Sequence, residues 1–240
     1  MGALESSYSD GRPDWESLYR ARGEEVNPAR PFLTGDVFGG LELPGSTGKS
    51  KRRFVIVLQH PCAMRSNGID LRWQLLVAEV QQWKILEKEQ WQGTYNVMPL
   101  PALFPELAGG KRNQAANFDN LYTVRPALLR DRVACLAPIG VNLLLQRWVH
   151  YNSRVIVPTT SFHEQSVSFY EEADLMEEWC DYQGVKGEEQ VVKAHRECME
   201  WLRTPDGNGL TPQELLRNDQ TRSGVRRAMR AKLRSRQKTS

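Results

Sequence analysis

Three groups of residues have side-chain types and spacings suited to chemistry. The first follows the apolar run Phe54 to Leu58 and reads Gln59-His60-Pro61-Cys62-Ala63-Met64-Arg65. In an extended segment, residues two apart point the same way, so His60 and Cys62 share one side at the rim of a sheet. An imidazole beside a thiol favours the thiolate, which is the nucleophilic form. A buried structural cysteine with a hydrogen-bonded histidine is the other reading of the same pair. On a phosphodiester, His60 would serve as general acid or base and Arg65 would stabilise the charged transition state. The second group, Lys49, Lys51, Arg52 and Arg53, crowds directly ahead of the apolar run, where its charges could meet phosphates. The third, Arg147, His150, Tyr151 and Arg154, falls at i, i+3, i+4 and i+7 and shares one helix face. Its guanidinium groups could hold a phosphate while the phenol stacks a base and the imidazole shuttles a proton; a solvated helix face is the plainer alternative.

Other motifs carry less. Gly45-Ser-Thr-Gly48-Lys49-Ser50 has the glycines and lysine of a phosphate-cradling loop. The glycine needed five residues before Gly48 is Leu43, and a strand follows where that motif needs a helix. Met1-Gly2 with Ser6 matches a myristoylation signal in form but lacks polybasic support nearby. His195 and Cys198 lie one helical turn apart with Cys180 on the preceding helix, but zinc needs a further ligand. No metal and no cofactor is expected.

Charge is strongly polarised. Residues 222 to 238 hold eight Lys or Arg and no acid, which leaves 24 basic against 29 acidic residues elsewhere. Residues 164 to 200 carry eleven acids against three Lys or Arg, so an acidic block lies near the basic tail and the two could pair. Val225, Met229 and Leu233 give the tail an apolar stripe among Arg226, Arg227 and Arg230, as in a helix that docks on a phosphate backbone, a membrane surface or an acidic protein groove, of which nucleic acid is preferred because the loop at 49–53 is basic too.

These groups need a scaffold, and 240 residues with 40% apolar content supply one large domain or two small ones. The expected class is α+β: a small N-terminal β-barrel followed by a helical section. Residues 1–31 read as a flexible arm, 32–137 as the barrel, 138–220 as helices packed on it, and 221–240 as a basic tail. Expected strands are 36–43, 49–58, 69–75, 119–124 and 131–136, the third from strict alternation of Ile69, Leu71, Trp73 and Leu75 with polar residues. Residues 44–48 form the turn between the first two, 80–92 are ambiguous, and the prolines and glycines of 99–110 exclude long regular structure. After Pro138 the apolar period becomes helical, with Val141, Leu144, Leu145 and Trp148 facing a core. Helices are expected at 161–182, opened by Ser161 and Glu164, at 188–202, and after Thr211-Pro212-Gln213-Glu214.

Gly35-Asp36-Val37-Phe38, the basic loop, and the strand Phe54 to Leu58 resemble the opening of the MazF/PemK-like toxins. The resemblance spans about thirty residues. It implies an SH3-like barrel that binds single-stranded RNA by that loop and cuts it without metal, using a loop arginine and a hydroxyl residue. The position after the buried strand, often serine in that family, is Gln59 here. A looser resemblance is to uncharacterised bacterial and phage-associated proteins that open with Gly-Asp and carry a cysteine where Cys62 stands; their Arg-containing strand before a proline corresponds to Arg154 to Pro158.

No apolar run approaches the ~20 residues of a membrane helix. The start of the chain and four scattered cysteines suggest a cytoplasmic protein. The expected function is nucleic-acid binding, RNA ahead of DNA, with metal-independent endoribonuclease action as its enzymatic version. The alternative is a non-enzymatic interaction or assembly protein of a phage or defence system, which docks protein partners or copies of itself through the acidic helices and basic tail.

Overall fold

Alternating apolar residues and a few glycines build most of the first of two units. The computed structural model describes residues 4–9, 12–45, 49–104, 112–207 and 209–237. One unit comprises Met1–Val26 and Phe32–Gln165, the other Asn27–Pro31 and Ser166–Ser240. In the first, β1 (Tyr8–Ser9) and β2 (Arg12–Pro13) pair with each other, and β3 (Tyr19–Arg22) joins a larger sheet. Then come β4 (Asp36–Pro44), β5 (Ser50–Val57), α1 (Pro61–Met64), β6 (Leu75–Lys84), α2 (Lys88–Gly93), β7 (Val97–Leu100), β8 (Arg112–Val124), β9 (Asp131–Leu136) and α3 (Pro138–Ser153). The helix α4 (Thr159–Gln183) crosses from the first unit's residues to the second's.

The sheet has seven antiparallel strands in the order β3-β9-β4-β5-β6-β8-β7. It does not close into the expected barrel. Among the described residues no ladder joins the edge strands β3 and β7, each only four residues long, and β7 carries Pro99, which cannot donate to a ladder. Side chains join the two edges instead. The Tyr19 hydroxyl donates to the Pro101 carbonyl at 2.8 Å, and Arg22 Nη1 donates to the Ala102 carbonyl at 2.6 Å.

Phe38, Leu41, Leu43, Val55, Val57, Leu75 and Val77 build one buried cluster on this sheet, joined by Met64 of α1. The shared register explains it: Leu41 opposes Arg53 and Leu43 opposes Lys51, so the odd-numbered positions of β5 continue the apolar face outward as cations. α3 opens with Pro138 at its first turn and buries Val141, Leu144 and Leu145. Gly140 lets this helix seat against the Leu18 carbonyl, a position that any Cβ would occupy.

Several expected boundaries move. Residues 1–31 are not a free arm, because Leu18 is fully buried and β3 pairs with β9. Residues 69–75 do not form a strand: Arg65 bridges to Leu71 across a tight loop, and β6 begins only at Leu75. The alternation there leaves Trp73 75% exposed, so its period marks no buried face. The turn at 46–48, Met1-Gly2, residues 105–110 and Lys238 lie outside the described residues. No helix among the described residues is long and apolar enough to cross a membrane.

The second unit packs α4 with α5 (Glu188–Arg203), α6 (Pro212–Leu215) and α7 (Asp219–Gln237). Thr211 and Glu214 form the expected capping box, each side chain accepting the other's backbone N–H. The basic tail is an ordered helix here, with Val225, Met229 and Leu233 buried. The segment Asn27–Pro31 belongs to this unit, where Arg30 donates to Asp174 at 2.6 Å and to Glu177 at 2.7 Å.

Candidate nucleic-acid interface

The hairpin of β4 and β5 carries its cations on the arm that leads to the buried strand. Lys49, Lys51 and Arg52 are exposed, and no ion pair between described residues engages them. Glu42 lies opposite Arg52 in register. Arg53 is different. Its guanidinium is hydrogen-bonded and ion-paired to Glu79, which is 3% exposed and also accepts from Asn120 at 3.3 Å. A paired cation that compensates a buried carboxylate is not available to a phosphate, so Arg53 drops out of the contact set.

Beside the exposed cations lies a cavity of about 430 Å³, lined by Lys51, Arg52, Phe54, Gln81, Gln82, Phe104 and Gln114 among others. Phe54 and Phe104 are half-buried, with ring centroids 4.9 Å apart and planes inclined at 59°. The Phe54 ring lies over Gly39 of β4, whose missing Cβ makes room for it. The cavity thus joins two aromatic rings, the exposed cations Lys51 and Arg52, three amides and the Arg53–Glu79 ion pair. Such a set can stack bases, neutralise phosphates and pair with base edges.

The face expected on α3 divides. Arg147 is fully buried and donates to the Trp91 carbonyl at 2.6 Å and the Thr94 carbonyl at 2.7 Å, with its guanidinium 5.1 Å from the Trp91 ring. Burial pulls this group down to about 10, so it stays charged at neutral pH. It therefore anchors the loop between α2 and β7 and is not on a solvated face. His150, Tyr151 and Arg154 do gather at the surface. Arg154 caps α3 in the left-handed region at φ 61° and sits 4.3 Å from the Tyr95 ring, against which His150 packs edge-on at 5.7 Å. Tyr151 donates to Asp119 Oδ1 at 2.6 Å, and this bond, with one from Asn96, holds the Asp119 carboxyl below its usual range.

His60 and Arg65 are each engaged within the fold. His60 caps α1, its Nδ1 lies 2.8 Å from Cys62 Sγ, and its ring meets the backbone of Gln165. Arg65 donates to the Phe32 carbonyl at 2.8 Å, which ties the loop after α1 to the start of the sheet.

The tail arginines are also engaged. In the second unit Arg226 pairs with Glu171 at 2.7 Å and lies 3.7 Å from Asp174, while Arg230 pairs with Glu178. Arg236 pairs with Glu197 at 2.9 Å. Arg227 lines a separate cavity with Trp201 and Val225. The acidic block thus pairs with Arg226, Arg230 and Arg236, as its position in the sequence allowed, and Arg226 and Arg230 are withdrawn as nucleic-acid contacts.

Sequence reasoning missed Phe54 as part of the cavity lining, since it read as core. It also missed Phe104, which follows a proline-rich stretch without periodicity, and Gln82 and Gln114, whose meeting depends on the pairing of β6 with β8. No metal-binding group of three or more His, Cys, Asp or Glu occurs among the described residues. No protein-family model matches the chain, and no curated protein matches it in sequence.

Proposed function

We propose that the protein binds single-stranded nucleic acid, RNA in preference to DNA, along the β4–β5 hairpin and the cavity beside it. The observation that carries this reading is the meeting of Lys51 and Arg52 with the Phe54–Phe104 pair around one cavity. A duplex hides its base faces, whereas an unpaired strand can lay a base on an aromatic ring for about 1–3 kcal/mol and keep its phosphates on the cations. The amides of Gln82 and Gln114 both donate and accept, so they suit base edges and the 2′-hydroxyl that distinguishes RNA. This use of a basic hairpin agrees with the resemblance to MazF/PemK-like toxins. The cleavage step of those toxins gains no support, because Arg65 is held on a carbonyl and His60 faces a thiol.

Fluorescence anisotropy with a labelled single-stranded RNA, the matching duplex and the matching single-stranded DNA tests the proposal at low salt with a chelator present. The single-stranded RNA binds tightest and is recovered intact, and Phe104→Ala weakens it roughly tenfold, the loss of about one stacked base. Equal affinity for the duplex, or no binding of any probe, would refute the reading.

A further inference from the structure

The exposed thiol of Cys62 stands apart from the hairpin cavity and has the neighbours of an activated nucleophile. Its Sγ lies 2.8 Å from Nδ1 of His60, and the same ring nitrogen accepts the Cys62 backbone N–H at 3.4 Å. The ring also faces the backbone of Gln165 in α4. Nucleophile and base are therefore in direct contact, the pairing that activates a thiol. A short turn holds them: Pro61 fixes the first position of α1, and Ala63 and Met64 donate to the His60 carbonyl at 2.8 and 3.1 Å.

The same turn argues for the kind of electrophile. Acyl transfer needs backbone donors for an oxyanion. The N–H groups of Cys62, Ala63 and Met64 are all committed to His60, so the turn offers none. Attack on a peroxide needs only an accessible thiolate and a proton donor for the leaving oxygen. Among the described residues the other cysteines, Cys135, Cys180 and Cys198, are buried. Burial pushes the Cys180 thiol up to about 11, so Cys62 is the one thiol placed to react.

We propose that Cys62 is a redox-modification site, armed by His60, that hydroperoxides oxidise to the sulfenic acid. The thiol proton passes to Nδ1 of His60 and the sulfur attacks one peroxide oxygen. The S–O bond forms as the O–O bond breaks, and the departing oxygen takes the proton from the imidazolium to leave as water or an alcohol. Sulfur loses two electrons and the peroxide gains them. Burial lowers the His60 imidazole from its ordinary range.

Full-length protein treated with equimolar hydrogen peroxide and trapped with dimedone, read by peptide mass spectrometry, tests this. Adduct forms on Cys62 ahead of the three other cysteines. His60→Asn keeps an acceptor at the cap of α1 but removes the base, and it slows both the adduct and iodoacetamide alkylation of Cys62 roughly tenfold or more. If the circular dichroism of H60N departs from that of the wild type, the comparison is made instead between Cys62 and free cysteine in the intact wild-type protein, where faster Cys62 labelling is expected. Unchanged rates in a folded H60N variant, or Cys62 reacting no faster than free cysteine, would overturn the proposal. The outcome is independent of RNA binding.

Discussion

At the scale of single residues, the cations of this protein sort by what they face. Arg53 and Arg147 look as available in sequence as Lys51 and Arg52, yet one neutralises buried Glu79 and the other sits among carbonyls. Replacing Arg147 with Met strands the carbonyls of Trp91 and Thr94 in the interior. The expected cost is about 3 kcal/mol in chemical denaturation, with RNA affinity of the folded fraction unchanged. A second residue-scale prediction concerns His60, whose folded imidazole is held below 6.5. As pH falls through 6.5 the unfolded chain takes up a proton that the folded ring refuses, so stability declines from there down to the folded value. Urea midpoints should show this decline, and His60→Asn should flatten that component; an unaltered pH profile would assign it to other groups.

At the scale of elements, the clearest signals were those set by local chemistry. The strands at 36–44 and 50–57, the helix opened by Pro138 and the capping box at Thr211 all appear near their expected bounds, because period and caps act within a few residues. What long-range pairing decides was illegible. The edge strand Val97–Leu100 depends on β8, and Pro99 is tolerated there because among the described residues no strand pairs on its outer side. The alternation at 69–75 had no partner strand, so it became a loop with Trp73 exposed. The candidate site divided likewise: the basic residues were visible in a row, while Phe104 and Gln114 reach them through the fold. The tail's amphipathic pattern was read correctly as a helix, but its partner is the chain's own acidic block. Met229 is fully buried on that helix, so Met229→Ala should cost about 2–4 kcal/mol in the second unit, whereas Arg226→Ala, with its part-exposed ion pairs, should cost 1 kcal/mol at most, roughly; comparable losses would contradict this division of labour.

At the scale of the molecule, a net charge of +3 says little, because half of the tail's eight cations, Arg222, Arg226, Arg230 and Arg236, are ion-paired within the helical unit. The proposed polyanion site is the hairpin, where Lys49, Lys51 and Arg52 are exposed. Three phosphate contacts by Lys49, Lys51 and Arg52 on a single strand give a slope of about −2 in log K against log salt, so fourfold more salt weakens binding about twentyfold. A charge-swap comparison addresses the central claim most directly: anisotropy titrations of one single-stranded RNA against wild type, the Lys51→Glu/Arg52→Glu variant and the Arg226→Glu/Arg230→Glu variant. Loss of at least roughly tenfold in the hairpin variant, with a shallower salt slope and no loss in the tail variant, is the predicted result. Undiminished binding by the hairpin variant, or binding lost only when the tail is reversed, would contradict it.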